Sequence, residues 1–242
     1  MEELNTCLSC KSPQLLSVQK SKAMMHPSDD IFNFDQCQNC GLVFLNPRVP
    51  EHKLGDFYTD FYLPYRGDQA WGKYANFVAS SQKTVDKKRV SIVEKHVRNI
   101  TEATILDVGC GKPTFLKMLS EQFKCRSIGT DFSNFGWKKN PSDYKDLELI
   151  EGDIHELNTL PKADIITMWH YLEHDYDPAK TLQKLLSISK PTTRLIVEVP
   201  NYDSYTRKKY GANWAGYHTP RHTALYTPKT MTNLMHRNGW KV

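Results

Sequence analysis

Leu106-Asp107-Val108-Gly109-Cys110-Gly111-Lys112-Pro113-Thr114-Phe115-Leu116 is the stretch that decides the fold. Ile105, Leu106 and Val108 surround an acid and read as a buried strand. Gly109 and Gly111, two residues apart, turn the chain, and Phe115, Leu116 and Leu119 then follow a helical pattern. A strand, a glycine turn and a helix N-terminus make a nucleotide-binding βα unit.

Asp107, at the strand end, bears on which nucleotide is bound. Helix N-termini favour anions, but a dinucleotide pyrophosphate placed there would face this carboxylate. An adenosine ligand with a cation and no phosphate would be attracted instead. S-adenosylmethionine, with its sulfonium and ammonium, meets that requirement.

From residue 104 strands and helices alternate. ATILDV, RSIGTD, LELIEGD, ADIITMW and TRLIVEV read as strands, and helices are expected after Lys112, over Pro178 to Ser189 and over Pro228 to Asn238. Gly239 suits the end of the last helix. Strands separated by helices predict right-handed crossovers, and so an α/β, doubly wound, mostly parallel Rossmann-like sheet. In such sheets ligands bind beyond the carboxyl ends of the strands. Asp107, Asp131 and Asp153 each lie near one. Asp131 falls 20 residues after Gly111, where a carboxylate can accept both ribose hydroxyls, and Asp153 could accept from an adenine amino group. Any one of them alone would read as a turn or helix cap.

Upstream, Cys7-x-x-Cys10 and Cys37-x-x-Cys40 are two thiolate pairs on tight turns. Two such turns complete a tetrahedron, the geometry of structural zinc, with no open position for a substrate. Gly41 follows the second pair, where relaxed backbone angles are needed. Four unrelated buried cysteines and a redox dithiol are the competing readings. Cys110 and Cys125 are expected to have no chemistry. The expected organisation is a zinc-binding module at 1–50, an aromatic-rich lid or helical connector at 51–100, and the cofactor-binding domain at 101–242. The connector carries Phe57, Tyr58, Phe61, Tyr62, Tyr65, Trp71, Tyr74 and Phe77, and its helix is expected over 83–99.

At 242 residues the chain can bury a sizeable core, and its net charge of +5 gives no reason to expect a nucleic-acid partner. No apolar run approaches a membrane span of roughly 18 residues. The N-terminus shows no signal segment, which points to the cytoplasm and to reduced cysteines.

Residues 104–200 resemble the class I S-adenosylmethionine-dependent methyltransferases. LDVGCGKPTFL is similar to their first motif, GTDFS to the second, EGDIHEL to the third and WHYLEHDYDP to a strand-four motif. With the four-cysteine module ending CxxCGLVFLNP, the chain is similar to methyltransferases of sugar-nucleotide and natural-product pathways. The resemblance implies that Gly109 and Gly111 let the backbone approach the cofactor and that Asp107 lies near its methionine end. It also implies that Asp131 binds ribose and that Asp153 with Ile154 contacts adenine; Trp169, ending strand four, joins the candidate cofactor contacts. Pro113 stands where the family usually has a third glycine. The sequence stops at Val242, where the family normally adds a sixth strand and an antiparallel seventh.

Methyl transfer to a hydroxyl needs a base, a task suited to histidine near neutral pH. His170 and His174 flank the end of strand four, and His218, Arg221 and His222 lie in YHTPRHTALYT. The expected assignment is His222 or His170 as base, Arg221 holding a charged part of the acceptor, and Tyr217 or Tyr171 lining its pocket. His174 reads as a loop brace. In sugar C-methyltransferases with this cysteine module an acid precedes the histidine that resembles His222. Arg221 takes that place here and favours O-methylation. The expected acceptor is a small molecule: a sugar, sugar-nucleotide or glycan precursor. An rRNA or tRNA methyltransferase and a non-catalytic scaffold are the alternatives. The first lacks an Asn/Asp-Pro-Pro-Tyr motif after strand four, and the second rests on Pro113 and the short C-terminus.

Overall fold

The computed structural model describes residues 1–58 and 68–242. In chain order the strands are β1 (Leu15–Lys22), β2 (Ile31–Cys37), β3 (Val43–Leu45), β4 (Thr104–Val108), β5 (Arg126–Asp131), β6 (Glu148–Glu151), β7 (Ala163–Trp169), β8 (Ser189–Glu198) and β9 (Ala224–Leu225). The α-helices are α1 (Ala75–Lys95), α2 (Thr114–Phe123), α3 (Phe135–Lys138), α4 (Pro178–Ser187), α5 (Tyr205–Tyr210) and α6 (Pro228–Arg237).

These described residues form two compact units. One joins residues 1–58 to His170–Gln183 and Val199–Val242; the other joins residues 68–169 to Lys184–Glu198. The second unit holds the parallel sheet, in the order β6-β5-β4-β7-β8. The order reverses at β4, whose neighbours are β5 and β7, and that reversal opens a crevice at the strand ends. Ile105, Leu106 and Val108 are buried in β4 because a central parallel strand is covered on both faces. Phe115, Leu116 and Leu119 bury the inner face of α2, and Val90 and Val93 that of α1, in one core with Ile165 and Trp169. Cys110 and Cys125 belong to that core. The α1 helix begins eight residues earlier than the sequence suggested, and Trp71, Tyr74 and Phe77 are exposed. Phe61, Tyr62 and Tyr65 lie outside the described residues.

The first unit is built on an antiparallel sheet in the order β1-β2-β3-β9. Its fourth strand comes from the C-terminal connection: Val43 pairs with Leu225 and Phe44 with Ala224. Phe32, Phe34, Val43, Leu45, Trp214, Tyr217 and Leu225 share its core. The 1–50 segment is therefore not finished by its own residues. Below it, α6 starts with a capping box between Thr227 and Thr230 and Pro228 in its first turn. Gly239 follows the helix with φ 85, as its place in the sequence predicted.

Candidate active site

The glycine turn sits at the end of β4, and φ is 74 at Gly109 and 49 at Gly111. Those angles strain any residue with a Cβ. The amides of Gly109, Cys110 and Gly111 are used internally. Gly109 and Cys110 donate to the carbonyl of Thr130 at 2.8 and 3.0 Å, and Gly111 donates to Asp131 Oδ2 at 2.9 Å. Asp131 Oδ1 also accepts from the Ser133 amide at 3.1 Å. Burial raises the Asp131 carboxyl above its ordinary range, opposed by these two amides.

Asp107 is buried on β4 opposite Thr167 of β7, whose Oγ1 donates to Asp107 Oδ1 at 2.6 Å. Burial pushes its carboxyl up to about 7, while the Thr167 hydrogen bond and the Arg89 guanidinium pull it down. Arg89 stacks 4.8 Å over the Trp169 ring and donates to Glu198 Oε1 at 2.7 Å. Trp169 Nε1 is buried with no hydrogen-bond partner among the described residues. Asp153 lies two residues past β6, exposed, with Oδ1 accepting from the His155 amide at 2.9 Å, and Ile154 beside it is buried.

In the other unit a cavity of about 530 Å³ is lined by histidines 170, 174, 218 and 222, Glu173 and Trp214, with polar Asn201, Ser204 and Thr206. Glu173 is fully buried, and its Oε1 lies 3.0 Å from Nδ1 of the exposed His170. His174 Nδ1 donates to the Arg221 carbonyl at 3.1 Å, and His222 Nδ1 donates to the Gly216 carbonyl at 2.8 Å. His218 Nδ1 lies 3.2 Å from His222 Nε2. Burial pushes His218 down to about 3, and it lowers His174 and His222 as well.

The four N-terminal cysteines come together. Cys7 Sγ is 3.5 Å from Cys40 Sγ, Cys10 Sγ is 3.5 Å from Cys37 Sγ, and all four lie within 4.8 Å of one another. Each pair is held by a turn: Lys11 N donates to Cys7 O at 3.1 Å and Gly41 N to Cys37 O at 2.9 Å. Two sulfurs bound to one tetrahedral zinc at about 2.3 Å are about 3.8 Å apart, so the cluster is close to that geometry.

A family model described as a methyltransferase domain matches residues 81–242. The chain belongs to this methyltransferase family. It is 31% identical over 138 residues to a small RNA 2'-O-methyltransferase of Arabidopsis thaliana, a match over 50% of this chain and only 14% of that protein's length. It is similar in structure to magnesium protoporphyrin IX methyltransferase from Synechocystis PCC 6803 with bound SAH, with a TM-score of 0.59, 14% identity, and 78% of this chain and 89% of that one covered. Human N-acetylserotonin methyltransferase in complex with SAM gives a TM-score of 0.55 at 19% identity, covering 80% of this chain and 55% of that one. At these identities the structural likeness is one of fold.

This methyltransferase carries polar and aromatic groups at its strand ends. An added Cβ at Gly111 would meet nothing within 4 Å, whereas Gly136 packs directly on the turn, where a Cβ would collide with the Gly111 carbonyl oxygen. Asp131 keeps lone pairs beyond its two amides, and Trp169 Nε1 is a buried donor with no hydrogen-bond partner among the described residues. No described helix of the methyltransferase is long and apolar enough to cross a membrane.

Two groups expected at the acceptor pocket make their contacts elsewhere. Arg221 is fully buried, and its guanidinium donates to the Phe57 carbonyl at 2.6 Å, to the Met24 carbonyl and to His218 Nε2 at 3.3 Å. These three bonds tie Arg221 to the protein's own groups, and it is not among the residues lining the cavity. Among the described residues neither Tyr171 nor Tyr217 lines the cavity; Tyr217 is buried against Phe34 and Trp214, and Trp214 lines it instead. Sequence reasoning missed Glu173 altogether. Its signal was the H-x-x-E-H spacing of 170–174, with the second H-x-x-x-H at 218–222.

Proposed function

We propose that this methyltransferase transfers the methyl group of S-adenosylmethionine to a hydroxyl of a small polar acceptor of the sugar or sugar-nucleotide class. The observation that carries this is the His170–Glu173 pair. Glu173 Oε1 accepts from His170 Nδ1, which leaves Nε2 as the nitrogen that takes a proton. His170 follows Trp169, the last residue of β7, and lines the cavity. Trp214 offers a flat apolar face there and Ser204, Thr206 and Asn201 offer hydrogen bonds, the mixture a sugar ring needs.

In this reading His170 takes the hydroxyl proton as the oxygen attacks the methyl carbon. The carbon–sulfur bond breaks and S-adenosylhomocysteine leaves. His222, whose buried ring is held well below ordinary histidine basicity, positions rather than accepts the proton. Asp107, Gly109, Gly111, Asp131, Asp153, Ile154 and Trp169 hold the donor, and Cys7, Cys10, Cys37 and Cys40 hold a structural zinc.

The identity to a small RNA 2'-O-methyltransferase favours a second reading, a ribose 2'-hydroxyl of a small RNA. It uses the same base, and only the acceptor changes. Labelled methyl uptake onto a panel of nucleotide-sugars and onto short RNAs separates the two. Under either reading His170→Gln lowers kcat by about 10²–10⁴. Unchanged turnover in both His170→Gln and His222→Gln defeats the assignment.

A further inference from the structure

From the histidine cavity we infer a second metal site, distinct from the four cysteines: His174, His218 and His222 hold one divalent transition-metal ion, with Glu173 supplying the compensating charge. The three histidines each offer a ring nitrogen, and these nitrogens lie within 4.8 Å of one another. His218 Nδ1 and His222 Nε2 are 3.2 Å apart. Two imidazole nitrogens bound to one tetrahedral ion at about 2.0–2.1 Å sit about 3.3–3.4 Å apart, so this pair already has the required separation.

The rings are also pre-aimed. A carbonyl can only accept, so the Nδ1 atoms of His174 and His222 carry the protons donated to Arg221 O and Gly216 O. That leaves the Nε2 lone pair of His174 for a metal; the Nε2 of His222 faces His218 Nδ1 at 3.2 Å and turns to the ion when the ion displaces the proton between them. An N–H to a backbone carbonyl behind each ligating histidine is the usual way such a ring is oriented.

Glu173 gives independent support. It is fully buried, its Oε1 lies 4.0 Å from His222 Nε2, and its Oε2 has no hydrogen-bond partner among the described residues. A buried carboxylate with an orphaned oxygen calls for a cation. Three imidazoles and one carboxylate suit zinc, cobalt, iron(II) or manganese better than magnesium or calcium, which prefer all-oxygen shells. All four residues line the cavity, so the ion has a coordination position open to an incoming oxygen. Only that last role, binding an acceptor oxygen, rests on the methyltransfer reading; metal binding itself does not.

A proton can bridge the same nitrogens. Arg221 Nε donates to His218 Nε2 at 3.3 Å, which allows a metal-free relay from His218 Nδ1 to His222 Nε2. Metal stoichiometry decides between them. The intact protein is equilibrated with zinc, desalted and assayed by elemental analysis, and cobalt is titrated in parallel with optical spectra, without donor or acceptor. The expected result is two ions per chain. One cobalt spectrum should show the intense near-ultraviolet bands of thiolate ligands, and the other only the weaker visible bands of a nitrogen and oxygen site. His174→Ala and His222→Gln should each lose one ion and the second spectrum, while His236→Ala, on α6, keeps both. A wild-type protein whose only cobalt spectrum is the thiolate one overturns the inference, whatever the variants do. So does retention of the second ion in both histidine variants.

Discussion

The amide of Gly111 donates to Asp131 Oδ2 at 2.9 Å, tying the glycine turn to the end of the next strand. With Gly109 and Cys110 both bonded to Thr130 O, the turn has spent the donors that would cradle a phosphate. The engaged amides and the Asp107 carboxyl both disfavour a diphosphate at this turn. Titration calorimetry should show binding of S-adenosylmethionine and S-adenosylhomocysteine and none of NAD or ADP. Asp131→Ala should weaken the donor by about 10–100-fold, the loss of one or two charged hydrogen bonds. Equal affinity in the variant would remove Asp131 from the site.

Asp107 links donor binding to pH. Burial raises its carboxyl from 3.8 to about 7, and a bound sulfonium and ammonium favour the ionised form. Donor affinity should therefore fall as the pH drops through about 7. Stability moves the other way. A carboxyl raised in the folded state contributes stability that is complete below its unfolded value and lost as pH rises toward about 7. Asp107→Asn should bind donor poorly, yet should melt higher than wild type at pH 8, by the equivalent of a few kcal/mol. Melting curves across pH, with and without donor, test both halves, and a variant no more stable than wild type at pH 8 rejects this account.

Arg221 should behave as a structural residue. Arg221→Ala would leave the buried carbonyls of Met24 and Phe57 without their donor, at about 1–3 kcal/mol each. Denaturant unfolding should show the loss, and at temperatures where the variant stays folded KM for the acceptor should change little. A large KM increase with wild-type stability would return Arg221 to the acceptor site.

Removing the proposed zinc should undo the N-terminal sheet. Cys37 ends β2, so Cys37→Ser, or a strong chelator, should expose residues 23–30 between β1 and β2 to protease. Because β9 pairs with β3, the region around Ala224 should lose amide protection too. Unchanged proteolysis and exchange after complete metal removal would show that the cysteines are not needed for the fold.

The methyltransferase half of this protein was legible because its signals are local. The apolar run around Asp107, the paired glycines and the Asp131 offset each follow from strand, turn and helix periodicities within a few residues. The cysteine pairs were legible for the same reason, since each knuckle closes on itself. Long-range packing lies outside what such patterns report. Nothing near Ala224 announces that it completes a sheet with Phe44, and nothing near Arg221 announces that its guanidinium faces Phe57 and Met24. The sequence by itself thus determined the parallel sheet and its acid rim. Only the tertiary structure decided that 170–174 and 218–222 bring four histidines around one buried glutamate. That meeting depends on closing a loop of more than forty residues, and the free energy for it comes from distant side chains rather than from any repeat in the local chain.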